Sequence, residues 1–163
     1  MNIRIGYGYD VHQLEEGREL FLGGIKIPHT KGCVAHSDGD VLIHAICDAM
    51  LGAAALRDIG YHFPDTDQEY KNIDSKILLE KTKDLISDKR YTLVNLDSTI
   101  CLQQPKIKDF IPEMVKTIAQ ILCVEQDQIS IKATTTEKLG FVGREEGIAA
   151  HAVVLIQTFK EKA

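Results

Sequence analysis

Asp10 and His12 stand two apart in the segment Gly6-Tyr7-Gly8-Tyr9-Asp10-Val11-His12. Side chains alternate along an extended strand, so this carboxylate and imidazole project to the same side. His44, in an otherwise apolar run, could add a second imidazole. Two histidines and a carboxylate with a fourth position open form the donor set of catalytic zinc; the same count suits ferrous iron. In the alternative reading Asp10 and His12 cap a strand end and His44 is a hydrogen-bonded core histidine. Burying an imidazole needs a partner in either case. Asp48, one helical turn past His44 on the same face, could orient a ligand imidazole or satisfy some other buried polar group.

A second cluster is His36-Ser37-Asp38-Gly39-Asp40, just before that apolar run. A helix starting here would offer free amides and a positive dipole end to an anion, or Ser37 could simply be its N-cap. The third cluster, Lys132-Ala133-Thr134-Thr135-Thr136-Glu137-Lys138, collects three hydroxyls, two ammonium groups and consecutive amides at a strand end. It could cradle a diphosphate, with Glu137 holding a hard cation such as magnesium. Threonine favours strands in any protein, so a solvated turn accounts for the same residues.

The elements that must position these groups follow from periodicity. Residues 2–12 read as a strand whose glycines, 6 and 8, mark a close backbone approach. Residues 19–28 read as a short hairpin turning at Gly23-Gly24, followed by a loop from Lys31 to His36. A helix is expected from about Asp38 to Leu56, capped by Ser37 or Asp38. It is apolar on nearly every side, and a helix apolar all round is buried all round, so a neighbouring subunit is expected on one face. A polar loop, 58–72, precedes an amphipathic helix at 75–88 carrying Leu78, Thr82, Leu85 and Ile86 on one face. Residues 91–102 alternate as a half-buried strand, and a third helix covers 107–123. Strands at 129–135 and 148–159 finish the fold, the last apolar on both faces and so central. The expected class is α/β, an α+β sandwich with a mixed sheet and three helices layered on one face.

Bulk properties narrow the function. A chain of 163 residues with 44% hydrophobic and 26% charged residues fits one domain, 1–163. The formal net charge of −5, with no basic stripe, argues against a nucleic-acid partner. No apolar run approaches the ~18 residues of a membrane span, and no signal-peptide pattern opens the chain. A cytoplasmic location is expected, or an organelle of plastid type after processing. Cys33, Cys47, Cys101 and Cys123 form no Cys-x-x-Cys pair, so neither zinc-ribbon nor thioredoxin-like chemistry is expected.

Taken together, the motifs resemble one family. Gly6 to His12, His36-Ser37-Asp38-Gly39-Asp40, Asp58-Ile59-Gly60, Phe63-Pro64-Asp65-Thr66-Asp67 and Ala133-Thr134-Thr135-Thr136-Glu137-Lys138-Leu139-Gly140-Phe141 occur in order. They are similar to those of the 2-C-methyl-D-erythritol 2,4-cyclodiphosphate synthases of the non-mevalonate isoprenoid pathway, from Ile3 to about Phe159. The resemblance implies a homotrimer with active sites between subunits. It also implies ring closure of 4-diphosphocytidyl-2-C-methyl-D-erythritol 2-phosphate with loss of CMP.

Residue by residue, the resemblance makes Asp10, His12 and His44 ligands of one zinc ion per protomer. It makes Glu137 a contact to magnesium or manganese on the substrate diphosphate, and His36 and Thr135 stabilisers of the transition state. Ser37, Asp58, Ile59 and Gly60 fall at the erythritol phosphate end, flanked by Phe63, Pro64, Asp65, Thr66 and Asp67. Leu102, Gln103, Gln104, Pro105, Lys106, Ile107 and Lys108 fall at the cytidine pocket, with Thr134, Thr135, Thr136 and Glu137 beside the phosphates. Phe141 and Arg144 fall at the trimer axis, where some members bind an isoprenoid diphosphate in an apolar cavity. One residue departs from the pattern: Arg57 precedes Asp58-Ile59-Gly60 where the family commonly has glycine.

Overall fold

A computed structural model describes residues 2–159. Strand β1 (Ile3–Glu16) opens the chain, followed by the hairpin strands β2 (Leu20–Leu22) and β3 (Ile25–Ile27), and by β4 (Lys31–Cys33). Helix α1 (Val41–Ala53), a short α2 (Ile59–His62) and α3 (Ser75–Asp88) come next. Then follow β5 (Tyr91–Cys101), α4 (Ile111–Leu122), β6 (Ile129–Thr134), a short α5 (Gly140–Gly143) and β7 (Gly147–Thr158). Five strands form one mixed sheet in the order β4-β1-β7-β5-β6, and only β5 and β6 run parallel. The last strand is central, as its two apolar faces predict. The three long helices lie on one face, as expected for an α+β sandwich.

That face is dictated by β1. Its even positions turn toward the helices: Gly6, Gly8 and Leu14 are buried and Asp10 and His12 half-buried. A Cβ on Gly8 would stand 1.9 Å from the Ala45 carbonyl oxygen, and one on Gly6 would stand 1.9 Å from that of Ala49. What approaches the glycines is therefore α1, lying directly on the strand backbone. The odd positions Ile3, Ile5, Tyr7, Tyr9 and Val11 are all exposed on the opposite face.

Several expectations need correction. Helix α1 begins at Val41, not Asp38, and its N-cap is neither Ser37 nor Asp38 but Asp40. The Asp40 carboxylate is fully buried and accepts from the N–H of Ile43 (3.0 Å), Gly23 (3.0 Å) and Gly24 (2.6 Å). It ties the β2–β3 hairpin to the helix and occupies the Ile43 amide at the helix N-terminus. Helix α1 is buried almost all round, but by its own chain, against β1, β7 and α3. No neighbouring subunit is required to cover it. The bare apolar surface is the far face of the sheet. Residues 31–33, expected in a loop, form an edge strand paired with β1. In β5 the pairing with β7 shifts between Leu93 and Asn95, a bulge that breaks the alternation at Val94. Cys33 and Cys47 are buried, and burial pushes both thiols up to about 12.

Candidate active site

Close docking of α1 on Gly8 carries His44 over the end of β1. Asp10 Oδ2 lies 3.0 Å from His12 Nε2 and 3.1 Å from His44 Nδ1, and the two imidazole nitrogens are 3.1 Å apart. Three donor atoms thus form a nearly equilateral triangle, the one such cluster of metal-ligating groups among the described residues. Ligand edges of roughly 3.3 Å are expected around a tetrahedral zinc with bonds of about 2.0–2.1 Å, so the donors fit a single ion with little movement. Burial pushes the Asp10 carboxyl up, but His12 and His44 outweigh it and hold it well below the usual carboxylate range. Burial lowers His44, and the Asp10 carboxylate more than restores it, so its pKa ends above the ordinary value. Asp10 thus stays ionised between two imidazoles, the anionic donor that a bound cation would meet.

The other ring nitrogen of His44, Nε2, lies 2.9 Å from Ser75 Oγ and 3.2 Å from Ser37 Oγ. Asp48 is not among the groups bonded to this imidazole. Its carboxylate accepts instead from the Ile59 N–H at 2.7 Å, fixing the start of α2 against α1. Burial raises the Asp48 pKa, and the Ile59 N–H opposes the rise.

The triangle opens into a cavity of about 470 Å³ lined by Asp10, His12, His36, Ser37, His44, Ile59, Gly60, Phe63 and Asp65, with Tyr70, Ile73 and Leu78 at its apolar end. Helix α2 presents Ile59 and Gly60, and Asp58 caps it by accepting from Tyr61 N–H at 2.9 Å. His36 and Asp65 face each other at 3.9 Å across the exposed mouth. Pro64, Thr66 and Asp67 continue the same loop without lining the cavity, and Asp67 caps the turn after it by accepting from Glu69 N–H. Arg57 takes a left-handed backbone, φ 71°, and lays its guanidinium 4.2 Å over the Tyr61 ring. Glycine adopts that φ freely, which accounts for its use at this position in the family the motifs resemble.

The remaining predicted residues gather elsewhere on the same chain. Leu102 N–H donates to Thr134 O at 2.9 Å and Lys138 N–H to Gln103 Oε1 at 3.4 Å, so the 102–108 and 134–138 segments lie together. Neither segment lines the metal-cluster cavity. The threonine run is not extended as far as the sequence implied. The strand ends at Thr134, and Glu137 and Lys138 take left-handed φ of 53° and 65°. The turn still joins the two expected partners, Thr135 Oγ1 donating to Glu137 Oε1 at 2.8 Å. Thr136 and Phe141 border a shallow trough with Tyr7, Tyr9 and His151, on the bare face of the sheet. Arg144 forms a two-pronged pair with Glu146, both contacts 3.0 Å.

The family model described as the YgbB family matches residues 3–157. The chain belongs to the YgbB family. Other YgbB-type relatives repeat the match over nearly full length. The protein of Bacteroides thetaiotaomicron named 2-C-methyl-D-erythritol 2,4-cyclodiphosphate synthase is 64% identical over 157 residues, 96% of this chain and 99% of that one. That of Syntrophomonas wolfei, with the same name, is 56% identical over 155 residues, 95% of this chain and 99% of its own. Among solved structures, the bifunctional IspDF of Campylobacter jejuni superposes with a TM-score of 0.94 at 46% identity, over 98% of this chain and 43% of that longer one. A 2C-methyl-D-erythritol-2,4-cyclodiphosphate synthase in its CDP-bound form gives 0.88 at 38% identity, over 94% and 100% of the two chains. The resemblance read from the motifs is borne out.

Proposed function

We propose that this chain is a cyclodiphosphate-forming lyase that closes 4-diphosphocytidyl-2-C-methyl-D-erythritol 2-phosphate to 2-C-methyl-D-erythritol 2,4-cyclodiphosphate and releases CMP, a step of isoprenoid biosynthesis. The observation that carries the reading is the Asp10–His12–His44 triangle at the head of a cavity edged by His36, Ser37, Ile59 and Gly60. The relatives of the same family bear that enzyme's name.

The chemistry suits these residues. The nucleophile is a phosphate monoester, largely ionised near pH 7, so no strong general base is needed. The barriers are repulsion between phosphates and the entropy of closing an eight-membered ring. Zinc on Asp10, His12 and His44, and magnesium or manganese beside Glu137, would supply Lewis acidity and charge neutralisation to phosphoryl oxygens. The cavity would hold the methylerythritol end folded, with Ile59 fixed by Asp48 between Asp58 and Gly60, and with His36 and Ser37 at the wall. Such positioning can be worth up to ~7–11 kcal/mol. Thr135 would donate its hydroxyl to oxygens gaining charge as the ring closes. The segment Leu102 to Lys108 would take the cytidine, in keeping with the CDP bound by relatives.

These two groups of residues stand apart on one chain, which supports a homotrimer in which the metal half of one protomer meets the threonine half of the next. The bare face formed by Ile3, Ile5, Tyr7, Tyr9 and Val11, a contiguous row of exposed apolar side chains of the kind that marks interaction surfaces, supports the same assembly. Phe141 and Arg144 would then approach the axis, where an isoprenoid diphosphate could bind. Among the described residues no helix is long and apolar enough to cross a membrane, in keeping with a cytoplasmic enzyme. The test is phosphorus NMR of the product. A cyclic diphosphate with equimolar CMP is expected. Inorganic phosphate or an open-chain product would instead make the site a metallophosphodiesterase. A mixture of inactive Asp58→Ala and Thr135→Ala proteins should regain part of the activity, and no recovery after subunit exchange would argue against shared sites.

A further inference from the structure

Ser75 is fully buried at the first turn of α3, and its hydroxyl lies within hydrogen-bond distance of Asp38 and His44. Its hydroxyl donates to Asp38 Oδ1 in a short hydrogen bond, and its backbone N–H donates to Asp38 Oδ2 at 3.0 Å. The Asp38 carboxylate is further fixed by Asp40 N–H at 3.1 Å, and its backbone N–H donates to Ile73 O at 3.1 Å. With its only proton committed to a carboxylate, Ser75 Oγ can meet His44 Nε2, 2.9 Å away, only as an acceptor. Nε2 must therefore carry the ring proton. In the neutral ring the lone pair is then on Nδ1, the nitrogen that faces Asp10 and His12, and a metal ion bound there takes the place of any proton shared with Asp10.

We propose that Asp38 and Ser75 form a positioning relay that sets the tautomer and angle of His44 for metal ligation through Nδ1, resting on the reading that Asp10, His12 and His44 hold a zinc ion. Ligating imidazoles usually pass their second N–H to a carboxylate or carbonyl directly, and losing that partner weakens metal binding about 10–100-fold. Here a serine hydroxyl is interposed, so the carboxylate acts from one bond further away. Ser37 Oγ, at 3.2 Å from Nε2 and already accepting from Gly39 N–H, is a weaker second acceptor. Because Ser75 opens α3 while Asp38 lies in the loop before α1, the relay also registers the two helices to the metal site.

The experiment is zinc binding by the full-length protein, measured by competition with a chromogenic chelator. The Ser75→Ala and Asp38→Asn variants are expected to bind zinc about 10–100-fold more weakly than wild type. Ser37 Oγ stays beside Nε2 in both variants, so neither loss should be complete. Nitrogen-15 NMR of the zinc-loaded wild type should show Nε2 of His44 protonated and Nδ1 bound to metal, a readout that needs no variant to fold. Affinities within twofold of wild type, or zinc on Nε2, would overturn the relay while leaving the metal site intact. Absence of tight zinc binding in the wild type would overturn the metal site itself, and the relay with it.

Discussion

Gly8 and Ala45 are in backbone contact, the glycine lying where any side chain would strike the Ala45 carbonyl oxygen at 1.9 Å. The partner atom is backbone, so the helix must shift to admit even a methyl group. Gly8→Ala is expected to destabilise the protein by at least about 1–3 kcal/mol, the usual range for overpacking. It should also move His44 off Asp10 and His12, so zinc content and activity should fall together. Urea unfolding and elemental analysis of the variant measure both. A protein of wild-type stability with full zinc would show that α1 can ride further from the strand.

The charges at the triangle set a pH signature for the metal-free protein. Asp10 has a lowered pKa, so its stabilisation is present above its unfolded value, near 3.8, and is lost as the pH falls below it. His44 has a raised pKa, so its contribution is complete below 6.5 and disappears as the pH rises through the folded value. Metal-free protein is therefore expected to be most stable between about pH 4 and about pH 6.5, the window bounded by the ordinary values of the two groups. Zinc replaces the proton at the site and should shift the optimum upward. Denaturation midpoints across pH, with and without the metal, check it. A metal-free protein that gains stability from pH 6 to 8 would contradict the pairing.

Arg57 combines a strained backbone with a stacked side chain, and the two can be separated. Arg57→Gly relieves the left-handed φ and loses the Tyr61 stack, worth ~0.5–1 kcal/mol at an exposed site. Its stability should stay within about 1 kcal/mol of wild type. Arg57→Ala loses the stack and keeps the strain, so it should be about 1 kcal/mol less stable than the glycine variant. Both should leave kcat within twofold, because the guanidinium lies over Tyr61 and not in the cavity. A large fall in kcat for Arg57→Gly would instead make Arg57 a substrate contact.

Thr135 and Glu137 are hydrogen-bonded to each other but should fail differently. Thr135→Ala is expected to lower kcat more than it raises KM, by about 1–3 kcal/mol of transition-state stabilisation. Glu137→Gln should raise the magnesium concentration needed for half-maximal rate, and excess magnesium should restore much of its activity. Magnesium titrations of both variants at saturating substrate distinguish them. Identical curves for Glu137→Gln and wild type would leave Glu137 a turn residue.

What the sequence made legible is what local periodicity controls. The shared side of Asp10 and His12, the close approach at Gly6 and Gly8 and the central place of β7 all follow from alternation and glycine spacing. The metal triangle needed only His44 added from a helix whose docking those glycines permit. The Asp38–Ser75 link was hidden because it joins residues 37 apart, and a serine at a helix start reads as an ordinary capping residue. Asp40 is not legible as the N-cap because its tertiary partners, Gly23 and Gly24, lie in a hairpin 17 and 16 residues away. The bulge at Val94 and the turn at Glu137 also escaped, since both are choices between backbone conformations that nearby side chains tolerate equally.

Strand β1 carries the candidate ligands Asp10 and His12 on one side and an exposed apolar row on the other, paired with β7 from Ile3↔Gln157 through Gln13↔Gly147. Inserting or deleting one residue between Gly6 and Gly8 would exchange the two sides downstream of the change. Asp10 and His12 would then turn toward the exposed side, while an aromatic or branched side chain would be driven at Ala45. Length variation in this strand should therefore be all but forbidden, even where substitutions on its exposed side are tolerated. Over the same residues, chemistry and assembly are inherited as a single reading frame.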